Sequence, residues 1–252
     1  MPKVSIIIIT YNRAKYLPRA IDSVLAQKFY DWELIIIDDN SADDTNEIVS
    51  QYVKINQTIK FIRNESNVGI VKCRNQALSM CKGKYVAILD SDDLWTDENK
   101  LLKQLNFFKQ NPDHVLCGTM AGVIGEDGAP TGKIIYKTDD SEIREKLLFS
   151  NQFVHSSVVY LRDVANKAGG YGNFGVGEDY DLFFRLGLKG KIANLPELMV
   201  NYRRHADGIT WTNKLFSARE HLRIIRQYRG KYPYYCLAVI KARLRIIISR
   251  IQ

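Results

Sequence analysis

The sequence predicts an α/β fold built on a doubly wound, mixed sheet, and three observations carry that prediction. Short apolar runs alternate with segments of helical periodicity through the first hundred residues. Three of the first four runs end in clusters of polar side chains. The excess of basic residues gathers in the C-terminal segment and leaves the body near neutral.

Residues 4–9 are continuously apolar, as a strand buried on both faces of a parallel sheet requires. Residues 15–25 place Leu17, Ile21, Val24 and Leu25 at helical spacing. A strand over 32–37, a helix over 45–53 and a weaker strand over 59–63 follow. Next come a helix over 70–81 closed by Gly83, a strand over 85–89 and a helix over 98–110 that ends before Pro112. Beyond Pro112 the rhythm loosens. A strand is expected over 115–119, and a turn-rich hairpin or loop over 122–137, which contains Gly125, Gly128, Pro130 and Gly132. A short helix over 142–149, a strand over 153–160 and a helix over 162–168 come next. Five glycines between Gly169 and Gly177 precede an acidic-headed helix over 179–186. Residues 1–212 thus read as one α/β domain and 213–252 as a basic, amphipathic helical tail.

Hydrophobic residues make up 46% of the chain and charged residues 25%, enough apolar material for one large core and too much for disorder. Cys73, Cys81, Cys117 and Cys236 show no CxxC spacing and no nearby histidine, which argues for free thiols in a reducing compartment rather than a zinc site. Met1-Pro2-Lys3 enters the first strand without the features of a secretory signal, and no uncharged apolar run reaches the ~18 residues of a membrane span. The expected location is the cytoplasm. Of the net charge of +8, the segment from Lys214 onward accounts for more than all: it holds ten basic residues and one acid, Glu220. A nucleic-acid enzyme would carry its basic surface around its groove, so no nucleic-acid partner is expected.

In an open α/β sheet, ligands bind beyond the carboxyl ends of the strands. The first strand runs into Thr10-Tyr11-Asn12, the second into Asp38-Asp39-Asn40 and the fourth into Asp90-Ser91-Asp92-Asp93. Parallel strands bring these clusters to one edge. Three carboxylates within four residues repel one another unless a cation or protons neutralise them. Such oxygen ligands suit Mg2+ or Mn2+, which would neutralise a diphosphate leaving group. A turn with a helix cap is the competing reading, and it accounts for Asp97. A cap needs one acceptor and the run offers three, so Asp90 and Asp92 are kept as functional. The same weighing gives Ser41, Asp43 and Asp44 to a cap for the helix beginning near Thr45, and gives Asp39 to hydrogen bonds with a ribose or base. The turn after the first strand lacks glycine, so the GxGxxG fingerprint is missing, and no GxxxxGK[ST] loop occurs. Neither hydride transfer from a dinucleotide nor P-loop NTPase chemistry fits.

The segments VSIIIITYNRAKYLPRAIDSVLAQ, WELIIIDDNSADDT, NVGIVKCRNQAL, GKYVAILDSDDLW and GEDYDLFFRL, in this order, resemble those of family 2 glycosyltransferases with the GT-A fold. The resemblance covers about the first 205 residues and is closest to the bacterial surface-polysaccharide type. It implies a GT-A domain over 1–212 with an acceptor-side α+β half, and an inverting transfer of one hexosyl or N-acetylhexosaminyl unit. The donor would be a nucleotide-sugar, with uridine the expected base, and the acceptor a hydroxyl of a saccharide, lipid-linked or free. By this resemblance Thr10, Tyr11 and Asn12 frame the nucleoside, and Asp39 contacts base or ribose. Asn67, Gly69 and Arg74 lie near base and phosphates, with Cys73 where alanine is commoner. Asp90 faces the ribose or supports the metal, Ser91 lies on the donor side, Asp92 is the direct ligand of Mn2+ or Mg2+, and Asp93 is a rival ligand. Arg203 and His205 assist the leaving group, His205 beside the metal. Asp179, in Gly177-Glu178-Asp179, is the general base. His155 is either acceptor-facing or a satisfied structural histidine, and Asp181 pairs with Arg185. Two rival classes are a catalytically silent nucleotide-sugar-binding module and a sugar nucleotidyltransferase. The Glu178-Asp179 pair argues against the first, and the missing glycine-rich turn against the second.

Written as a helix, the tail sets Leu237, Ile240, Leu244, Ile247, Ile248 and Ile251 on one face, with Lys241 and Arg245 on one flank and Arg243 and Arg250 on the other. Pro233 separates it from a basic helix over 213–228. That pattern suits a helix lying in an anionic membrane interface, here the inner face of the cell membrane; packing on the body or on a partner subunit is the alternative.

Overall fold

A computed structural model describes residues 1–205 and 214–250. The expected domain boundary at 212/213 and the position of Ile251 lie outside the described residues. The strands are β1 (Val4–Thr10), β2 (Trp32–Asp38), β3 (Ile59–Arg63), β4 (Tyr85–Ile88), β5 (Leu94–Trp95), β6 (His114–Ile124), β7 (Pro130–Ile134), β8 (Val159–Leu161) and β9 (Lys191–Arg203). The helices are α1 (Leu17–Leu25), α2 (Thr45–Ile55), α3 (Ile70–Met80), α4 (Lys100–Gln110), α5 (Asp140–Leu147), α6 (Arg162–Lys167), α7 (Glu178–Gly187), α8 (Lys214–Arg226) and α9 (Tyr235–Ile248).

One mixed sheet runs β3-β2-β1-β4-β8-β6-β9-β5, with β7 paired to β6. The β1–β2, β2–β3 and β1–β4 pairs are parallel, whereas β8 is antiparallel to both β4 and β6. The register sets Thr10 opposite Asp38, and the Asp39 amide donates to the Thr10 carbonyl at 2.9 Å. The carboxyl ends of β1 and β2 therefore share one rim.

The continuous apolar runs serve two cores, because successive side chains of a strand face opposite ways. Ile7, Ile35, Ile37, Val86 and Ile88 join a cluster with Cys73 and Ala77 of α3, Leu182 and Phe184 of α7 and Ile224 and Ile225 of α8. Ile6, Ile8, Leu34, Ile36 and Ala87 join the opposite cluster with Ile21 and Val24 of α1, Val49 of α2 and Leu101 and Leu105 of α4. Helices thus cover both faces, as the doubly wound reading expects.

Three local readings are corrected. Residues 153–160 are not one strand: His155–Ser157 forms a 3-10 turn, and only Val159–Leu161 pairs in the sheet. The Ser157 hydroxyl donates to the Val154 carbonyl at 2.7 Å, a local bond that competes with strand geometry. Ser41 and Asp44 do not form a capping box. The Ser41 hydroxyl donates to Asp38 at 2.5 Å and accepts from the Asn12 amide at 2.8 Å, while Asp43 accepts from the Thr45 amide at 3.2 Å. Finally, residues 191–203 form a long strand that no sequence pattern announced. Its register against β6 shifts near Thr119 and Met120, which breaks the alternation a strand would show.

The C-terminal helices pack on the body. The Tyr228 hydroxyl donates to Asp181 at 2.7 Å, its ring stacks on Phe184 with centroids 4.3 Å apart, and the Tyr232 hydroxyl donates to the Phe184 carbonyl at 2.7 Å. No helix among the described residues is long and apolar enough to cross a membrane.

Candidate active site

The rim beyond β1, β2 and β4 gathers the predicted donor-side residues. Thr10 is buried, and its hydroxyl has no hydrogen-bond partner among the described residues. An orphaned hydroxyl at a strand end leaves a polar atom for a ligand to satisfy. Tyr11 is half exposed beside it. Asn12 takes φ 52°, and its side-chain oxygen accepts from the Ala42 amide at 2.8 Å, which ties the turn after β1 to the turn after β2.

Asp39 organises the third segment of the rim. Its carboxylate accepts from the Asn64 side chain and the Val68 amide at 2.9 Å each, and from the Gly69 amide at 2.8 Å. Gly69 reaches this position with φ +90°, a backbone that favours glycine. One carboxylate thereby fixes the approach to α3 and holds exposed Asn67 at the rim. Burial works against charge on Asp39, but these donors outweigh it and hold the carboxyl below the usual range. The Cys73 thiol adds a further contact from inside the protein, so this carboxylate anchors the whole loop.

The acidic run after β4 divides its work. Asp93 is buried, accepting from the Ser156 hydroxyl at 2.5 Å and from the Arg203 amide at 2.7 Å. Burial first, and then the charges of Asp92 and Asp90, push its carboxyl well above the usual range. Ser91 is buried as well. Asp92 is partly exposed at the opening, with its oxygens only lightly engaged. His205 Nε2 lies 2.8 Å from Asp92 Oδ2, and Arg13 Nε lies 3.9 Å from the same atom. The Nδ1 of His205 is buried without a partner among the described residues.

Asp90 is held from the other side. His155 Nδ1 lies 3.1 Å from its carboxylate and His155 Nε2 lies 3.2 Å from the Tyr171 hydroxyl. The same Nδ1 lies 3.2 Å from an Arg74 guanidinium nitrogen, so His155, Arg74 and Asp90 form one compact cluster. Arg74 donates to Asp90 at 3.1 Å and pairs closely with Glu178 at the head of α7. Burial opposes charge on Asp90, but His155 and then Arg74 overcome it and keep the carboxyl well below the usual range.

Arg74 is therefore a bracket. It is buried, it joins the end of β4 to the start of α7, and its charge is compensated inside the protein instead of standing free for a phosphate. Arg203 shows the same pattern. Expected to reach the leaving group, it donates to the carbonyls of Asp92, Gly125 and Glu126 at 2.9–3.1 Å and lies over the Tyr16 ring at 4.8 Å. These bonds lock the end of β9 against the acidic turn.

Asp179 sits at the second position of α7, after Gly177 in the left-handed conformation at φ 86°. It is half-buried and accepts from the Asn151 side chain at 3.2 Å. The N-terminus of a helix favours a carboxylate in its charged, proton-accepting form. Asp181 points elsewhere and pairs with Arg185 four residues on, as expected, at 2.6 Å. Sequence reasoning missed Asn151, Ser156 and Tyr171, and it did not foresee that Glu178 pairs with Arg74. Each acts through a partner far away in the chain, and no local pattern signals such a bond.

Among the described residues no cluster of three or more metal-type ligands occurs; Asp92 and His205, in contact at the rim, are the residues that would hold a divalent cation. That donor set fits Mn2+ or Mg2+, which take one or two protein ligands and leave the rest to phosphates and water. The unpartnered His205 nitrogen and the crowding of three acids point the same way.

Residues 5–168 match the profile described as glycosyl transferase family 2. The chain belongs to that family. The O-antigen biosynthesis glycosyltransferase WbnJ of Escherichia coli is 32% identical over 255 residues, covering 94% of this chain and 97% of WbnJ. An uncharacterised Mycobacterium tuberculosis protein is 33% identical over 225 residues; the match takes in 86% of this chain but spans only 64% of that relative's length. Among solved structures, S. aureus TarS 1–349 in complex with UDP-GlcNAc superposes with TM-score 0.77 at 19% identity, over 96% of this chain and 72% of TarS. The mannosyltransferase PcManGT of Pyrobaculum calidifontis, in complex with GDP-Man and Mn2+, gives 0.71 at 16% identity, over 99% and 75%. The fold of this family 2 chain is thus the GT-A fold.

Proposed function

We propose that this family 2 chain transfers one sugar from a uridine diphosphate-sugar to a saccharide hydroxyl, with inversion at the anomeric carbon and dependence on Mn2+ or Mg2+. The observation that carries the reading is the Arg74 bracket. By pairing with both Asp90 and Glu178, it sets the head of α7, and with it Asp179, on the same rim as Asp92. A donor-side cation site and a proton acceptor then face one cleft.

The donor nucleoside lies against Thr10–Asn12 and the Asp39 loop, with Asp39 contacting the ribose or base. Uridine is favoured by the UDP-GlcNAc in the TarS structure, and metal use by the Mn2+ in the mannosyltransferase structure. Asp92 and His205 would hold a divalent cation, which would supply positive charge to neutralise the departing diphosphate. Asp179 accepts the proton of the acceptor hydroxyl, and the freed oxygen attacks the anomeric carbon from the face opposite the diphosphate. The new glycosidic C–O bond forms as the bond to the diphosphate oxygen breaks, and the electron pair leaves with the nucleoside diphosphate. Asn151 aims the Asp179 carboxylate during this step. The name of WbnJ supports a surface glycan as acceptor.

Calorimetry with a panel of nucleoside diphosphates, with Mn2+ and with EDTA, tests the donor half. UDP binding that requires Mn2+ is expected. Equal binding of all bases, or binding indifferent to EDTA, contradicts it. The anomeric configuration of the product, read by NMR against that of the donor, tests inversion.

A further inference from the structure

Nine residues, Gly169 to Gly177, lead into the helix that carries Asp179, and five of them are glycine. Glycine loses more conformational freedom on ordering than any other residue, so such a segment does not hold its own shape. Two helices tie it down from outside.

The first tie comes from α3. The Asn75 side-chain nitrogen donates to the Tyr171 carbonyl at 2.9 Å, and the Asn75 side-chain oxygen accepts from the Tyr171 amide at 2.8 Å. One side chain thus takes both main-chain groups of one residue, which fixes the direction of the chain as well as its place. Gly170, at φ +68°, permits the approach, because a Cβ there would collide with the Asn75 oxygen.

The second tie comes from α8. Glu220, the one acid beyond Lys214, is buried. Its carboxylate accepts from the Gly175 amide at 3.1 Å and from Arg223 at 3.2 Å. Arg223 lies in turn over the buried Phe174 ring, 4.8 Å from its centroid. The only carboxylate of a basic helix is therefore committed to this loop, through a charge-assisted bond.

Neither tie holds α7 itself. Leu182, Phe183 and Phe184 are buried in the core, and Tyr228 and Tyr232 bond to Asp181 and Phe184 further along the helix. The two ties set the path from Tyr171 to Gly175, and that path decides where the head of α7 stands, just beyond Gly177.

We propose that Asn75 and Glu220 are positioning residues for the transfer: clamping the glycine-rich segment from α3 and α8, they place the head of α7 so that the Asp179 carboxylate meets the acceptor hydroxyl. This assignment rests on Asp179 as the base. Arg74, beside Asn75 on α3, holds Glu178, and the Gly69 amide at the start of the same helix donates to Asp39. The donor loop and the approach to the base are thereby built on one rigid element. A misplacement of about 1 Å at such a base is enough to cost about 100-fold in rate.

The test measures UDP release in Mn2+ from whichever of UDP-glucose, UDP-galactose, UDP-N-acetylglucosamine and UDP-N-acetylgalactosamine the parent cleaves fastest, with water as acceptor. Asn75→Ala and Glu220→Ala are each expected to lower kcat by about 10- to 100-fold, with KM and Mn2+-dependent UDP affinity within about twofold of the parent. Glu220→Gln keeps an acceptor for the Gly175 amide and is expected to recover most of that loss. Hydrogen exchange over residues 171–179 is expected to speed by about tenfold or more in both alanine variants, while α4 keeps its protection. Parental kcat in either alanine variant overturns the proposal. So does UDP affinity that falls in step with kcat, and so does unchanged exchange. Asp179→Asn in the same assay separates the two claims. If it is inactive while the alanine variants keep the parental rate, only the clamp falls; if it keeps the parental rate, the base assignment falls and takes the clamp's role with it.

Discussion

His205 Nε2 stands 2.8 Å from Asp92 Oδ2 although 113 residues separate the two in the chain. β9 makes this meeting possible. It runs parallel to β6 and ends at Arg203, whose amide and guanidinium fasten that end to Asp93 and the Asp92 carbonyl. Two residues later the imidazole reaches the rim.

Asp92→Ala is therefore expected to lower Mn2+-dependent UDP affinity by about tenfold or more, and His205→Ala by somewhat less, with metal-free UDP binding barely changed. Calorimetry with and without Mn2+ measures both. Equal losses with and without metal would place the two residues on the nucleotide.

Arg74 is a structural bracket with a large energetic footprint. Arg74→Met leaves Asp90 and Glu178 without their shared cation in a buried setting, and should cost about 3–5 kcal/mol of stability. Arg74→Lys keeps the charge but loses the fork that spans both carboxylates, so a smaller loss is expected. Urea denaturation of both variants measures the difference. A Met variant as stable as the parent contradicts the bracket.

Lys100 provides a pH test away from the site. It is fully buried, donates to Gln104 at 2.8 Å, lies 4.2 Å from the Trp95 ring centroid and is pushed down to about 7 by burial. In the unfolded chain a lysine titrates near ~10.4, so between about pH 7 and pH 10 the unfolded state binds the extra proton. Stability should therefore rise with pH across that window, by roughly 2–4 kcal/mol in all, and Lys100→Met should flatten the rise. Urea midpoints at pH 7, 8.5 and 10 measure it. A parallel dependence in the variant assigns the effect elsewhere.

Tyr228 tests whether the C-terminal helices are integral. Tyr228→Phe removes one hydrogen bond to Asp181 and should cost about 1 kcal/mol, while Tyr228→Ala also removes the stack on Phe184 and should cost about 3–4 kcal/mol. Thermal or urea unfolding reads both. A neutral Ala variant would make α8 a loose appendage.

Much of this structure was legible in the residues. β1 to α4 followed their apolar periods, because strands buried on both faces and one-sided helices leave distinct patterns. The acidic run after β4 stood out as a candidate site because charge repulsion demands an explanation. What stayed hidden was long-range. β9 carries Pro196 and exposed Glu197 amid register shifts, so it shows no clean alternation. The segment 153–160 reads apolar, yet the Ser157–Val154 bond curls part of it into a turn. Arg74 and Arg203 look like phosphate ligands in sequence, and only their partners reveal them as brackets. Asp92 and Asp93 are equivalent as letters; burial distinguishes them, with Asp93 fixed by Ser156 and Asp92 left at the opening.

Asp179→Asn, assayed for sugar transfer and for UDP binding on the same preparation, bears most directly on the proposed reaction. The amide keeps the shape and the contact with Asn151 but cannot take a proton at neutral pH. Transfer is expected to fall by about 10³-fold or more with UDP affinity within about twofold of the parent. Transfer at the parental rate would contradict the account, because the proton acceptor would then be some other group.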